Sequence, residues 1–411
     1  MFIQIHTLTS YPASLLNRDD ANLAKRIPFG NAIRLRVSSQ CLKRHWREDL
    51  VDFETMTAKI CEIPDGYRSR RIFELVFTEL QKRNVPDDEA KILALCMKNL
   101  VMKSSSDSKD DDGNNKNEID LRIKQPIFLS RPEVDFMVDI AEKIRKLTPD
   151  LNKALKLAEG IKKNDKLARE KRDFRDQLGL TEKNLQAMQK SAVGLSSALF
   201  GRMVTSDLLA RVDAPVHVAH AFTVHAANTE MDYFTVVDDL NREDETGAAH
   251  ANQTELGAGI FYGYVAIDVP LLVSNLTGSK VEEWKSQDAT TPRRVIEALI
   301  TSITQQSPGA KKGSTAPYAL ADLLLLEAGN TQPRTLANAF LDAVPWKDAK
   351  QDLRVIAMQR LSNYLNRLDQ MYCNQNGYRG LSTTLDPVPP ELPAPTAVAD
   401  NIQAALDAVW S

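Results

Sequence analysis

The chain has 411 residues, 43% hydrophobic and 26% charged, and a net charge of −3. This is the composition of a soluble globular protein with room for one large core or two to three smaller ones. Cys41, Cys61, Cys96 and Cys373 form no C-x-x-C pair, which excludes a dense disulfide framework and a cysteine zinc site and implies free thiols in a reducing cytoplasm.

The total charge does not announce a nucleic-acid binder, but its distribution is uneven. Residues 1–47 hold eight basic side chains and two acidic ones, a net +6. A chain so polarised can lay one basic stripe on a polyanion while the rest stays soluble. The opening MFIQIHTLTSY lacks the basic start and long apolar core of a signal peptide. No apolar run approaches the roughly 20 residues a membrane span needs. The expectation is a soluble, cytoplasmic protein with no membrane partner.

In chain order, residues 2–9 read as a strand with Ile3, Ile5 and Thr7 on one face. A loop with Asn17-Arg18-Asp19-Asp20 and Pro28-Phe29-Gly30 follows. Residues 32–37 alternate, so Ile33, Leu35 and Val37 are expected on one side and Arg34 and Arg36 on the other. Ser38-Ser39 reads as the N-cap of a helix running to about residue 50. Residues 51–200 are mainly helical in pattern, with Pro149 marking a break between two helices. The stretch 103–118, KSSSDSKDDDGNNKNE, buries too little to offset ordering entropy and is expected as a disordered loop. Strand patterning returns at 212–225 and 260–269, separated by a polar, acidic excursion at 226–256. Another strand is expected at 319–327, with helices over 291–305, 335–343 and 348–371. A stiff proline-rich linker spans 386–395, and the last helix presents Ile402, Leu406 and Val409. Strands on both sides of a long helical insertion predict one discontinuous α+β domain, and no repeat period is visible.

The sharpest local signal is Arg34-Leu-Arg-Val-Ser-Ser-Gln-Cys-Leu-Lys-Arg-His-Trp-Arg47. Gln40, Lys43, Arg44 and Arg47 fall at i, i+3, i+4, i+7 and share one helix face. Leu42, Trp46 and Leu50 form the neighbouring apolar stripe. The helix start near Ser38-Ser39 favours an anion such as phosphate. Three readings fit this pattern: a solvated amphipathic helix, a phosphate-binding helix, and a surface for a protein or acidic membrane.

Four other features carry candidate chemistry. Met203 in Gly201-Arg202-Met203 suits either a base face or a core near a helix end. His217 and His220 face opposite sides of a strand, His217 and His225 share a face but lie roughly 27 Å apart, and His45, which could approach RNA, has no partner as a general base; with His250 they read as structural. Adjacent Asp238-Asp239 could bind Mg²⁺ and position water, or could cap a helix or hydrogen-bond between subunits. The segment Pro308-Gly-Ala-Lys311-Lys312-Gly-Ser-Thr315 lacks the Gly-Lys-Ser/Thr order of a nucleotide-hydrolysing loop but leaves a basic, flexible loop.

Taken in order, these pieces resemble the CasC family, the crRNA-binding backbone subunit of type I-E CRISPR Cascade. The matching pieces are Ile5-His-Thr-Leu8, Leu16-Asn-Arg-Asp-Asp20, Phe29-Gly30, Arg36-Val-Ser-Ser-Gln-Cys-Leu-Lys-Arg44 and Ser197-Ala-Leu-Phe-Gly-Arg-Met-Val-Thr-Ser206. Val218-Ala-His-Ala-Phe-Thr-Val-His225, Asp232-Tyr-Phe-Thr-Val-Val-Asp-Asp239, Gly247-Ala-Ala-His250 and Pro308-Gly-Ala-Lys311 complete the set. The resemblance covers about residues 1–320; the stretch 121–190 departs from the family pattern, which leaves the finger contacts open.

The resemblance implies an α+β fold with an RRM/ferredoxin-like palm, a helical fingers insertion and a protruding thumb hairpin. The palm would take residues 1–50, 201–220 and 257–345, the fingers 51–200, the thumb 221–256 and C-terminal helices 346–411. It implies a structural subunit that polymerises, in a hexameric filament, along CRISPR guide RNA in an antiviral surveillance complex of the prokaryotic cytoplasm. The guide then pairs with target DNA, and a recruited helicase-nuclease cuts it. Further partners would be other Cascade subunits; no cofactor, metal or catalytic residue of its own is implied. The alternative is an RNA-guided endoribonuclease subunit using Asp238 and Asp239.

By family position the RNA-binding residues are Arg18, Lys25, Ser38, Gln40, Lys43, Arg44 and Arg47, with Met203 beside Arg202 as a base contact; Arg34 and Arg36, which leave the strand just before the helix, and the loop residues Lys311 and Lys312 join them from the charge pattern. The resemblance gives Lys43, Arg44 and Arg47 phosphates, which hold register without reading sequence, and Ser38 and Gln40 phosphate or the 2′-hydroxyl. The thumb is too acidic to grip phosphate; Met231, Tyr233, Phe234 and Thr235 would act as a wedge that unstacks bases and kinks out one nucleotide per copy.

Overall fold

The computed structural model describes residues 1–102, 120–160, 166–180, 194–202, 211–236, 250–346, 351–373 and 377–411. The chain divides into two compact units, one of residues 1–50, 216–270 and 288–411, the other of residues 51–215 and 271–287. The expected loop at 103–118 lies outside the described residues.

The elements of the first unit are β1 (Phe2–Ser14), β2 (Arg26–Phe29), β3 (Ala32–Val37), α1 (Ser39–Leu50), β4 (Val216–Val218), β5 (Ala221–Thr223), β6 (Thr229–Val236), β7 (His250–Asp268), α2 (Thr290–Gln305), β8 (Ala321–Gly329), α3 (Leu353–Tyr372), β9 (Tyr378–Thr383) and α4 (Val398–Trp410). Its strands form one sheet in the order β9-β8-β1-β7-β5-β3-β2, with β4 and β6 also paired to β7. The ladders are antiparallel: Ile5 lies opposite Val265 on β7 and Leu326 on β8. Taken as β1-α1-β4/β5-β7-α2-β8, the central strands lie in space as 4-1-3-2, the arrangement of a ferredoxin-like βαββαβ unit. Mixed helix and antiparallel sheet is the expected α+β class.

Both faces of this sheet are covered. Ile3, Ile5 and Leu8 are fully buried although they point to opposite sides of β1. One side packs Leu8, Tyr262, Leu323 and Leu325 against Ala357, Met358, Leu361 and Leu365 of α3. On α4, Ile402, Leu406 and Val409 are buried, as its pattern predicts.

Several boundaries differ from the sequence expectations. β1 continues past residue 9 through Pro12, with a register shift between Tyr11 and Ser14; proline is tolerated where the ladder is interrupted. The helix expected over 335–343 is a single 3₁₀ turn, Ala337–Phe340. α3 starts at Leu353, where the Asp352 carboxylate accepts from the Arg354 N–H. Strand β9, which pairs with β8, falls in a region expected to be helical only. Gly30, at the β2–β3 turn, has φ +61°, and a Cβ there would sit 1.7 Å from the Leu341 carbonyl oxygen.

The second unit is mainly helical, as expected, with Ile72–Lys82, Asp87–Val101, Arg131–Leu147, Leu151–Ala158 and Ala168–Gln177 as its longer helices. Phe73, Val76, Leu93, Met97, Val138 and Ile144 lie in its core. The Arg131–Leu147 helix opens on a capping box of Ser130 and Glu133. It ends before Pro149, and Asp150 caps the next helix.

Candidate nucleic-acid interface

The chain passes directly from β3 into α1 at Ser38. The Ser38 N–H donates to Asn17 Oδ1 at 2.9 Å, and its hydroxyl accepts from the Cys41 N–H at 3.3 Å. Trp46 and Leu50 bury the inner face of α1. The Gln306 amide donates to Asp49 at 2.9 Å, tying α1 to the end of α2. With that face committed, Gln40 and Arg44 are exposed, and Lys43 and Arg47 are half-buried beside them at helical spacing. The Arg44 side chain is 78% exposed and pairs with Glu48 at 2.8 Å. Such an exposed i,i+4 pair is worth only about 0.3–0.5 kcal/mol, so a phosphate can replace it.

Two further segments bring cations to the start of α1. In the first, Asp19 Oδ1 accepts from the Ala21 and Leu23 N–H groups, and the Lys25 N–H donates to the Asn17 carbonyl. Exposed Arg18 and half-buried Lys25 therefore ride on an ordered turn. In the second, Lys311 donates to Thr254 Oγ1 at 2.5 Å, which fastens its loop to β7. Lys312 follows. Burial pushes the Cys41 thiol up, the charges of Lys25, Arg44 and Lys312 pull it back, and Glu48 opposes them, so cations from three chain segments and one carboxylate lie near this thiol.

Arg36 is half-buried, and its Nη1 lies 3.0 Å from His220 Nδ1. Burial first, then the charges of Arg36 and Lys25, lower the His220 ring, which stays neutral near pH 7 and accepts from Arg36. Arg26, which the family positions do not single out, forms an ion pair with Glu255, whose side chain is buried. That Arg26 is basic is plain from the sequence; its contact to Glu255, over two hundred residues away, is not.

On the β6–β7 hairpin, Met231 lies opposite Glu255 and Tyr233 opposite Gln253. Directly opposed residues share a face, and the Glu255 carboxylate also accepts from the Ala24 N–H at 2.7 Å. Met231 and Tyr233 are 49% and 61% exposed and lie on the face that meets the turn at residues 24–26. Phe234 and Thr235 continue β6; their side chains, like Asp238 and Asp239, lie outside the described residues.

Three assignments need correction. Arg34 is fully buried: its guanidinium donates to the carbonyls of Thr223 at 3.1 Å and Phe340 at 2.8 Å, so it clamps β3 to the 3₁₀ turn instead of meeting solvent. On the other side of β3, Leu35 and Val37 are buried and Ile33, at its start, is 57% exposed. Ser38 is 6% exposed and its hydroxyl accepts from the Cys41 N–H, so it caps the start of α1 from within the fold instead of standing on the exposed face. Arg202 belongs to the second unit, where it is buried in an ion pair with Glu133 at 2.6 Å. Met203 lies outside the described residues.

His225 is fully buried, with Nδ1 at 2.8 Å from the Ala226 carbonyl and Nε2 accepting from the Ile260 N–H at 3.1 Å. Both ring nitrogens are used within the fold. Among the described residues, no three His, Cys, Asp or Glu side chains converge to hold a metal ion.

Fold and site together define an antiparallel α+β protein that presents one basic helix face and two flanking basic segments to solvent. The family model for CT1975-like proteins matches residues 3–408, and the chain belongs to that family. Over their full lengths, the chain is similar at 27% identity and a TM-score of 0.77 to a solved chain described as "CRISPR RNA-guided surveillance complex, pre-nicking". It is similar at 25% identity and a TM-score of 0.68 to a second, from a "CRISPR RNA-guided surveillance complex", with 99% of this chain and 100% of that one covered. No curated relative matches the chain. Among the described residues, no helix is long and apolar enough to cross a membrane.

Proposed function

We propose that this chain is the guide-RNA-binding backbone subunit of a Cascade-type CRISPR surveillance complex, of the type I-E class. The carrying observation is the row Gln40, Lys43, Arg44 and Arg47 at helical spacing on the outer side of α1, exposed at Gln40 and Arg44 and half-buried at Lys43 and Arg47, joined at the helix start by Arg18, Lys25 and Lys312. Similarity over the whole length to chains of two CRISPR RNA-guided surveillance complexes supports the reading.

The mechanism follows from where the charge lies. Cations on one helix face and its flanking turns grip phosphates, which positions a strand without reading it. Gln40 offers a hydrogen bond to phosphate or to the 2′-hydroxyl that marks RNA. The bases then face outward to pair with target DNA. Copies in a hexameric filament repeat the grip along the guide, and Met231 and Tyr233 of each thumb break the stack at intervals. Other Cascade subunits complete the assembly in the prokaryotic cytoplasm, and cutting falls to a recruited helicase-nuclease. The subunit itself performs no catalysis. Expression with its neighbouring genes and sequencing of the bound RNA tests this. Repeat-flanked spacers of uniform length are expected; RNA of random sequence and length, or none, would overturn the proposal.

A further inference from the structure

The loop between α2 and β8, residues 306–320, contains Lys311 and Lys312 and no acidic residue. It ends on two of the most exposed apolar side chains among the described residues, Tyr318 at 73% and Leu320 at 69%. Neither packs a core, and the phosphate grip described above does not use them.

The backbone beneath Tyr318 is held on both sides. The Ser307 hydroxyl accepts from the Ala319 N–H at 2.9 Å and lies 3.0 Å from the Ala319 carbonyl. The Tyr318 N–H donates to the Ala316 carbonyl at 2.7 Å, and Ala316 itself is left-handed, with φ +41°. Pro317 is buried: a Cβ on Gly309 would lie 2.8 Å from its ring and 3.1 Å from the Lys312 stem, so these three residues are in close contact. The Ala310 N–H donates to the Leu15 carbonyl at 2.9 Å, just before the Arg18 turn. The loop therefore fixes Tyr318 relative to Lys312, and Lys312 relative to the start of α1. An aromatic ring held in solvent on a clamped loop loses little freedom when something covers it.

We infer that Tyr318, extended by Leu320, is a nucleobase-stacking residue of the same interface, taking one base of single-stranded RNA by its face. This rests on the RNA-binding reading above. The chemistry suits that role: a ring stacked on a base accepts any base and leaves the pairing edge free. Phosphates on the α1 row and a base on Tyr318 give each copy one charged and one stacking hold on the strand.

The test uses the full-length chain and a short single-stranded RNA carrying 2-aminopurine, whose fluorescence falls when it stacks on an aromatic ring. Tyr318→Ala, Tyr318→Phe and a Lys43/Arg44/Arg47→Gln triple variant are compared with the unaltered chain. The expected result is quenching in the unaltered chain and in Tyr318→Phe, and loss of quenching with about tenfold weaker binding in Tyr318→Ala. If Tyr318→Ala quenches and binds like the unaltered chain while the triple variant loses binding, the inference fails and the phosphate grip stands. If the triple variant binds normally, the RNA-binding reading itself fails. If Tyr318→Ala weakens self-association in sedimentation without RNA while quenching persists, Tyr318 serves a protein contact and the inference is overturned.

Discussion

Arg202→Met separates a structural arginine from an RNA-binding one. The Glu133 and Arg202 side chains are 1% and 2% exposed, and one guanidinium nitrogen meets both carboxylate oxygens at 2.7 and 2.6 Å. The carboxylate's other contacts are the N–H and hydroxyl of Ser130 at 2.9 and 3.1 Å. Removing Arg202 strands a buried charge with those two hydrogen bonds, at a cost of about 3–5 kcal/mol. With a urea dependence of about 2–3 kcal/mol per molar, the unfolding midpoint of the unit holding the pair should drop by roughly 1–2 M, read by circular dichroism. Converting both members, Arg202→Met with Glu133→Leu, should recover most of the loss, since an apolar pair of similar volume is often as stable as a buried ion pair. RNA affinity of folded Arg202→Met should be unchanged. Unaltered unfolding together with weakened RNA binding would refute the reasoning and restore Arg202 to the interface.

Other expectations follow from the same geometry. Arg34→Met should lower stability by about 2–4 kcal/mol, because two buried carbonyls lose their donors; a change under 0.5 kcal/mol in denaturant titration would show that the clamp is dispensable. Stability should also fall as pH drops. Burial lowers the His6 ring, so stability is lost below about pH 6.5 as the unfolded chain takes up the proton. Burial alone would raise the Glu327 carboxyl, but the His6 hydrogen bond and the charges of Arg379 and Arg334 hold it below the usual carboxylate range. Its contribution is present above about pH 4.3 and lost as pH falls further, so Glu327→Gln should flatten the stability curve there; an unchanged slope would contradict this. Met231→Ala with Tyr233→Ala alters two exposed side chains and should leave stability within about 0.5 kcal/mol while weakening target-DNA capture by the assembled complex; normal capture would remove the wedge.

The outline of the fold was legible wherever period and burial agree. The α1 stripe, the Pro149 break, the span of α2 and the apolar side of α4 all follow from helical spacing and cap residues. On β3, Leu35 and Val37 share a buried side as the alternation implies, but alternation does not report whether the opposite face meets water. The sheet is covered on both sides, so Arg34 could be buried once the Phe340 carbonyl, 306 residues further on, came to meet it. Arg202 misled for the same reason, its partner Glu133 lying 69 residues away. Strand β9 has six residues with a glycine at its centre, and a Cβ on Gly380 would lie 2.2 Å from Asn401 Oδ1. Its place in the sheet depends on α4 packing beside it, which no local pattern reports. Of the basic residues, those on α1 were readable from spacing alone; the approach of Lys25 and Lys312 to Cys41 needed the folded chain.

The most direct measurement is the salt dependence of single-stranded RNA affinity for the unaltered chain and for Lys43→Gln/Arg44→Gln/Arg47→Gln. Each phosphate contact on a single strand contributes a slope of about 0.7 in log affinity against log salt. Losing three should reduce the slope by about 2 and weaken binding about 50-fold near 0.15 M salt. A triple variant that is folded and keeps both the slope and the affinity of the unaltered chain would contradict an interface built on α1.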